Sequence, residues 1–140
     1  MPAASFDHLQ SATYINLTTF RKNGTPVPTP VWFVLDEDGR LYVWTEAESG
    51  KVKRLRANGR AQIAPSDSRG NPQGPFVAAR GRILADETAA REVLARFRRK
   101  YGLLFRAFEV MGRLRGGRRV VLVFEPVDEP AETNQPGGVA

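Results

Sequence analysis

The sequence predicts a mainly β protein of the α+β class: an antiparallel β-barrel of six strands with appended helices. Two observations favour this fold class. Segments rich in β-forming residues follow one another in the first third of the chain, separated only by short turn sequences. Helical spacing of apolar residues is confined to a few short segments, so a doubly wound parallel sheet, which needs a helical crossover between strands, is not expected.

The first strands form a predicted meander. A short helix at 5–11 is followed by a strand at 14–20, and the dipeptide Asn23-Gly24 is typical of a two-residue hairpin turn with positive φ at both positions. The second strand is placed at 27–35, where two prolines cannot donate to a neighbouring strand and so indicate an edge or a bulge. A turn and a third strand at 41–45 complete three antiparallel strands in sequence order.

The next element is a helix at 49–58, in which Val52 and Leu55 lie three residues apart. Gly59 is expected to end it, because glycine adopts the left-handed conformation without strain. The fourth strand is placed at 61–64 and is followed by a polar loop at 65–75.

The second half of the chain is predicted to contain two strands and two helical segments. A fifth strand at 76–84 leads to Asp86, the expected N-cap of a helix whose apolar residues recur at spacings of three and four. Gly102 interrupts that helix, and a second segment covers about 103–114. A last strand at 119–125 closes the domain, which is expected to span 1–127 and to be followed by a disordered tail at 128–140.

Composition restricts the possible chemistry. The chain has 140 residues, no cysteine and only one histidine, His8. These counts exclude thiol nucleophiles and iron–sulfur clusters, and they leave no histidine-based metal site or serine–histidine pair. Any redox chemistry is therefore expected to come from a bound cofactor. No apolar run of about 18 residues is present, which predicts a cytoplasmic protein with no membrane span.

The start of the helix at 49–58 has the features of a phosphate site. Ser49, Gly50 and Lys51 open the helix shortly after Thr45, so hydroxyl groups, free backbone amides and an ammonium group are expected to converge on one anion. Further cations follow within the helix, but at 100° per residue they spread around its axis, and an exposed basic helix is the alternative interpretation.

An apolar wall is predicted beside this phosphate site. Pro30, Val31 and Trp32 lie in the second strand and Trp44 lies in the third, so these residues are available to contact a planar heterocycle. The alternative is that both tryptophans belong to the core.

These segments together resemble a known family. Residues 29–33 (Thr-Pro-Val-Trp-Phe), 41–45 (Leu-Tyr-Val-Trp-Thr) and the helix start at 48–58 are similar to those of the flavin and deazaflavin oxidoreductases of the split β-barrel, FMN-binding-like superfamily, which includes pyridoxamine 5′-phosphate oxidase. The resemblance covers about residues 6–126 and is strongest for the branch that uses the deazaflavin coenzyme F420. It implies the cofactor-binding residues Pro30, Val31, Trp32, Thr45, Ser49, Gly50, Lys51, Lys53 and Arg56.

The chain departs from the oxidase pattern at two places. The Ser-Arg-Lys of the oxidase phosphate site falls on residues 49–51, with Gly50 in place of the arginine. Lys53 and Arg56 are expected to supply the missing charge, and Gly50 to leave room for a larger cofactor tail. The arginine that opens the ring-binding segment in the oxidase is replaced by Thr29 or Pro30, which argues against oxidation of pyridoxamine phosphate.

The resemblance implies a homodimeric F420-dependent oxidoreductase that transfers a hydride between the cofactor and an unidentified small molecule, without a catalytic side chain or a metal. Its cofactor sites would lie at the subunit interface and be completed by partner residues such as Phe76 or Arg80 and by the partner's helix at 103–114. FMN is the alternative cofactor, and a non-catalytic cofactor carrier is the alternative function. Haem is least expected, because His8 is a poor ligand.

Binding of nucleic acid is the remaining alternative. The net charge is +6, and ten Lys or Arg residues lie between positions 91 and 119. However, the aromatic residues of this region, Phe97, Tyr101, Phe105 and Phe108, follow helical spacing and are expected to be core or dimer contacts.

Overall fold

A computed structural model of the chain describes residues 3–128. Within that range, seven antiparallel strands form one sheet in the order β2-β1-β5-β6-β7-β4-β3, which curls into a half-barrel accompanied by helices. The elements are a short 3₁₀ helix at Asp7–Leu9, β1 Tyr14–Phe20, β2 Pro26–Val31, β3 Val34–Leu35, β4 Leu41–Glu46, α1 Gly50–Asn58, β5 Arg60–Ser66, β6 Val77–Ile83, α2 Glu87–Tyr101, α3 Leu103–Arg115 and β7 Arg119–Pro126. Of the tail predicted at 128–140, residues 129–140 lie outside the described residues.

The sheet has seven strands where the sequence predicts six, because the predicted strand at 27–35 is divided. Its first part, β2, pairs with β1, and its last two residues, β3, pair with β4 at the opposite edge of the sheet. The predicted three-stranded meander is therefore wrong. The break occurs at Phe33, whose backbone bonds to side chains of α2: its N–H donates to the Tyr101 hydroxyl at 3.1 Å, and its carbonyl accepts from Lys100 at 3.0 Å.

The hairpin between β1 and β2 also differs from the prediction. Within the described residues only glycines have positive φ, so Asn23 does not adopt the conformation that a two-residue turn requires. The N–H of Gly24 instead donates to the Arg21 carbonyl at 2.8 Å, and that of Arg21 donates to the Thr25 carbonyl at 2.9 Å. The result is a three-residue loop with Gly24 at φ 89°. The expected position of the proline-rich strand at a sheet edge is confirmed, since β2 is an end strand.

The residues predicted to start or end the three α-helices are confirmed, whereas the short helix predicted at 5–11 is only a 3₁₀ turn at Asp7–Leu9. The Asp86 side chain accepts hydrogen bonds from the backbone of Thr88 and Ala89 at the start of α2. Gly59 ends α1 at φ 71°. Gly102, at φ 63°, separates α2 from α3.

Two apolar clusters hold these elements together. One fills the interior of the curled sheet and includes Ile15, Leu17 and Phe124, each essentially inaccessible to solvent. The other lies where α2 and α3 pack on the outer face of β4 and β7, with Phe97 and Phe105 buried at its centre. This outer cluster, against which Trp32 and Trp44 pack, forms the floor of the candidate site.

Candidate cofactor site

A cavity of about 500 Å³ lies between β2, the end of β4, the start of α1 and one face of α3. One side is apolar and the other is polar and basic. The apolar side includes Pro30, Val31, Trp32, Trp44, Phe105 and Phe108. The polar side includes Thr45, Glu46, Ser49, Lys51, Arg115 and Arg119.

The polar side is centred on Lys51. Its ammonium group donates a hydrogen bond to the Thr45 hydroxyl at 3.1 Å, which joins the first turn of α1 to the end of β4. Burial lowers the pKa of Lys51, and the positive charge of Arg54 lowers it further, against a smaller opposing effect of the Glu46 carboxylate. A bound anion would relieve this penalty, because it favours the charged form of the amine.

Ser49 is the N-cap residue of α1, but its side chain does not cap the helix. Its hydroxyl oxygen is buried and, within residues 3–128, has no hydrogen-bond partner. A buried hydroxyl without a partner is unfavourable by about 1–3 kcal/mol. The backbone N–H groups of the first turn of α1 also lack partners within the helix, so the hydroxyl and these amides together suit an anionic ligand.

On the apolar side, Trp32 packs among aromatic side chains of the helices. Its ring stacks on that of Tyr101, with centroids 4.3 Å apart and planes at 10°, and Phe108 meets it edge-on at 4.9 Å. Trp44 contacts Phe105 at 5.1 Å between centroids. Both tryptophans therefore belong to the outer cluster and also line the cavity, which combines the two interpretations that the sequence left open.

Six of the nine residues predicted for the site line the cavity: Pro30, Val31, Trp32, Thr45, Ser49 and Lys51. The other three, Gly50, Lys53 and Arg56, are not among the lining residues, and all three are exposed. The space beside Gly50 is not open for a cofactor tail. A Cβ atom there would lie 2.7 Å from the guanidinium of Arg54, which bonds to the Thr19 hydroxyl at 2.6 Å.

Several lining residues were not predicted from the sequence. Arg119 and Arg115 bring two further cations to the polar side, and α3 of the same chain supplies Phe105 and Phe108, where the sequence suggested the helix of a partner. Arg119 reaches the site because β7 pairs with β4 in a register that sets it opposite Glu46. Nothing local in the sequence reveals that pairing; the only signal is the pair of arginines that follows the Gly116-Gly117 turn.

A comparison with protein families gives a decisive match. The model of the family described as pyridoxamine 5′-phosphate oxidase matches residues 1–128. The chain belongs to this family. The family resemblance of the strand and helix-start motifs is thereby confirmed. No curated protein matches the chain.

Solved structures similar to this family member agree on the fold. The haem storage protein HutZ from Vibrio cholerae is 14% identical with a TM-score of 0.64, covering 86% of this chain and 85% of its own. A structure described as an F420 reductase is 22% identical with a TM-score of 0.52, covering 91% and 96%. A FAD-binding protein from Mesorhizobium loti is 16% identical with a TM-score of 0.56, covering 86% and 83%.

Neither a membrane-spanning helix nor a metal site is found in residues 3–128. No helix there combines the length and the apolar character needed to cross a bilayer. No group of three or more His, Cys, Asp or Glu residues in that part of the chain has an arrangement suited to a metal ion.

Proposed function

We propose that the protein is an F420-dependent oxidoreductase that transfers a hydride between the deazaflavin and a small-molecule substrate. One observation carries this proposal. The same cavity joins an apolar, largely aromatic wall to a helix start where the Ser49 hydroxyl is buried with no hydrogen-bond partner among residues 3–128 and the Lys51 ammonium is partly desolvated. A planar ring attached to a phosphate matches both halves of such a cavity.

Each group of residues has a defined task in this proposal. Thr45, Ser49, Lys51 and the first amides of α1 bind the phosphate, and Pro30, Val31 and Trp32 support the ring. The cofactor, when bound, supplies the hydride chemistry. The chain orients the ring and excludes water from one of its faces, which requires no side chain that acts as an acid or a base.

The charge of the polar side favours F420 over FMN. Lys51, Arg115 and Arg119 face the cavity with one carboxylate, that of Glu46. FMN ends at its phosphate, whereas F420 continues beyond its phosphodiester into a tail with carboxylates. The structure described as an F420 reductase and the FAD-binding protein, both similar in fold, support a flavin-type ligand in general.

The test is a pair of equilibrium titrations of the purified protein, with F420 and with FMN, followed by fluorescence quenching. We expect F420 to bind at least about tenfold more tightly, a difference of about 1.4 kcal/mol. Tighter binding of FMN would favour an FMN-binding oxidoreductase instead. A separate assay of F420 reoxidation with candidate acceptors distinguishes an enzyme from a carrier, because a carrier binds the coenzyme without turnover.

Haem and nucleic acid fit this cavity less well than a flavin-type cofactor. His8 does not line the cavity, and its ring lies 3.3 Å from the Pro75 carbonyl oxygen, so this cavity offers haem no histidine. For nucleic acid, Phe97 and Phe105 are buried in the outer cluster and cannot stack on bases.

A homodimer is part of the proposal. Within the described residues, all the large apolar side chains exposed by about half or more lie on α3, where Leu103 is 85% and Leu114 is 82% exposed. Two others of this face, Phe108 and Met111, also line the cavity. A second copy packed on α3 would cover this surface and close the cavity mouth at the same time. Sedimentation velocity should show a dimer, and Leu114→Arg should shift it to monomer, whereas a monomeric wild type would contradict the assignment.

A further inference from the structure

Arg119 carries a charge that the rest of the described chain leaves poorly compensated. Its side chain is only 15% exposed. The guanidinium contacts the carbonyl oxygens of Gly112 and Gly116, both at 3.4 Å, and the Glu46 carboxylate at 3.5 Å. All three distances exceed those of ordinary hydrogen bonds to oxygen. Because Glu46 is itself mostly exposed, the Arg119 charge lacks the close partner that a buried cation requires.

The position of Arg119 connects two cavities. It lines the main cavity, and it also lines a side pocket of about 200 Å³ together with Trp44, Gly112 and Arg113. The guanidinium lies 5.5 Å from the centre of the Trp44 ring. The carboxylate of this side pocket, that of Glu109, is held by two hydrogen bonds from Arg98, at 3.0 and 2.7 Å. The side pocket is therefore an opening with an excess of available positive charge.

We propose that Arg119 binds a second anionic group of the cofactor, beyond the phosphate held at the start of α1. The tail of the ligand passes Trp44 and enters the side pocket, and Arg115 adds positive charge on the main-cavity side. The second anion is a carboxylate or a second phosphate. This inference rests on the proposed function and deepens it, since it names a residue for a second anionic group, distinct from the phosphate at which the sequence placed Lys53 and Arg56.

Gly112 provides a way to displace this charge without removing it. A Cβ atom at Gly112 would lie 2.9 Å from the guanidinium carbon of Arg119 and 3.0 Å from its Nε. Gly112→Ala must therefore push the end of the arginine side chain away, and a flexible side chain can move at little cost. The substitution lies inside α3, where alanine is a better helix former than glycine, so the fold should tolerate it.

The test compares three ligands and four forms of the protein. FMN carries one phosphate, FAD carries a second phosphate, and F420 carries a carboxylate tail. The proteins are the wild type, Arg119→Gln, Gly112→Ala and the control Arg118→Gln, which changes an exposed neighbour outside both cavities. Thermal unfolding of each variant checks that it is folded.

We expect Arg119→Gln and Gly112→Ala to weaken binding of F420, FAD or both by about ten- to a hundredfold, with FMN changed by less than about threefold. Loss with F420 alone identifies a carboxylate, and loss with FAD alone identifies a phosphate. Equal weakening of FMN would overturn the inference, because Arg119 would then contact the first phosphate, and no weakening of any ligand would overturn it as well. If the wild type binds none of the three, the proposed function itself fails, which is a different result from binding that ignores Arg119.

Discussion

Tyr101 holds Trp32 in two ways at once. Its ring stacks on the indole at 4.3 Å, and its hydroxyl accepts a hydrogen bond from the N–H of Phe33, the next residue, while donating to the Thr13 carbonyl at 2.7 Å. The end of α2 thereby fixes the point, directly after the wall residue Trp32, where the chain leaves β2.

Removing this hydroxyl should be costly. Tyr101→Phe keeps the stacked ring but leaves the Phe33 N–H and the Thr13 carbonyl without that partner, so we expect a loss of about 1–3 kcal/mol in the free energy of unfolding. Chemical denaturation measures it. Tyr14→Phe is the matched control, because the Tyr14 ring lies 6.4 Å from Trp32 and its hydroxyl has no hydrogen bond within the described residues. A similar loss in both variants would contradict the role given to the Tyr101 hydroxyl.

Lys51 and Lys53 provide a second matched pair. Lys51 lines the cavity and bonds to Thr45, whereas Lys53 is exposed and outside it. Lys51→Gln should weaken cofactor binding by about 1–3 kcal/mol through loss of a charge-assisted contact, and Lys53→Gln should change it by less than about 0.5 kcal/mol. Calorimetric titration checks both values. A larger effect at Lys53 would return that residue to the site.

Local signals were sufficient to predict the helices and most strands. The Asp86 cap, the left-handed Gly59 and the break at Gly102 each depend on residues adjacent in sequence, and each is confirmed. The division of the second predicted strand could not be seen in the same way. It depends on Tyr101 and Lys100, which contact Phe33 from more than sixty residues away.

In the candidate site, too, the residues that are close in sequence could be predicted and those brought in by distant strand pairing could not. Thr45, Ser49 and Lys51 lie close together in the sequence, and one turn of helix brings them to one cavity. Arg119 reaches them only through the pairing of β4 with β7, which no local pattern encodes. Lys53 and Arg56 also lie close to Ser49 in sequence, but successive side chains of a helix point in different directions, and neither residue lines the cavity.

The lowered pKa of Lys100 should make the free energy of unfolding depend on pH in the alkaline range. Much of its side chain is exposed, but its ammonium lies 3.5 Å from the centre of the Phe33 ring, and burial there lowers its pKa to about 8. In the unfolded chain the amine keeps its proton up to about pH 10.4, so the unfolded state binds more protons between these values. This group therefore makes the free energy of unfolding rise from about pH 8 to about pH 10.

Denaturation of the wild type and Lys100→Gln across that range checks the prediction. The difference between their unfolding free energies should shift in favour of the wild type as the pH rises. A constant difference would mean that the folded protein leaves the ammonium as basic as it is in water.

Asp36 should make the free energy of unfolding depend on pH in the acid range. Burial alone would raise its pKa, but a hydrogen bond from the Tyr42 hydroxyl and bonds from the backbone of Arg40 and Asp38 outweigh that effect and lower it. A carboxylate whose pKa is lowered by folding stabilises the fold at pH values above its ordinary pKa of 3.8. This contribution is lost as the pH falls from that value through the lower pKa of the folded state.

Asp36→Asn should therefore cost about 1–3 kcal/mol at pH 7 and less near pH 3. Asp38→Asn, at a position 71% exposed, is the control and should cost little at either pH. An Asp36→Asn deficit that persists unchanged at pH 3 would show that the charge is not responsible.

The most direct measurement is a crystal structure of the protein with bound F420. We expect the phosphodiester within hydrogen-bond distance of the Lys51 ammonium and the Ser49 hydroxyl, and the deazaflavin ring against Pro30, Val31 and Trp32. A structure with the phosphodiester away from the start of α1, or with the ring outside the cavity bounded by Trp32 and Trp44, would contradict the proposed cofactor site.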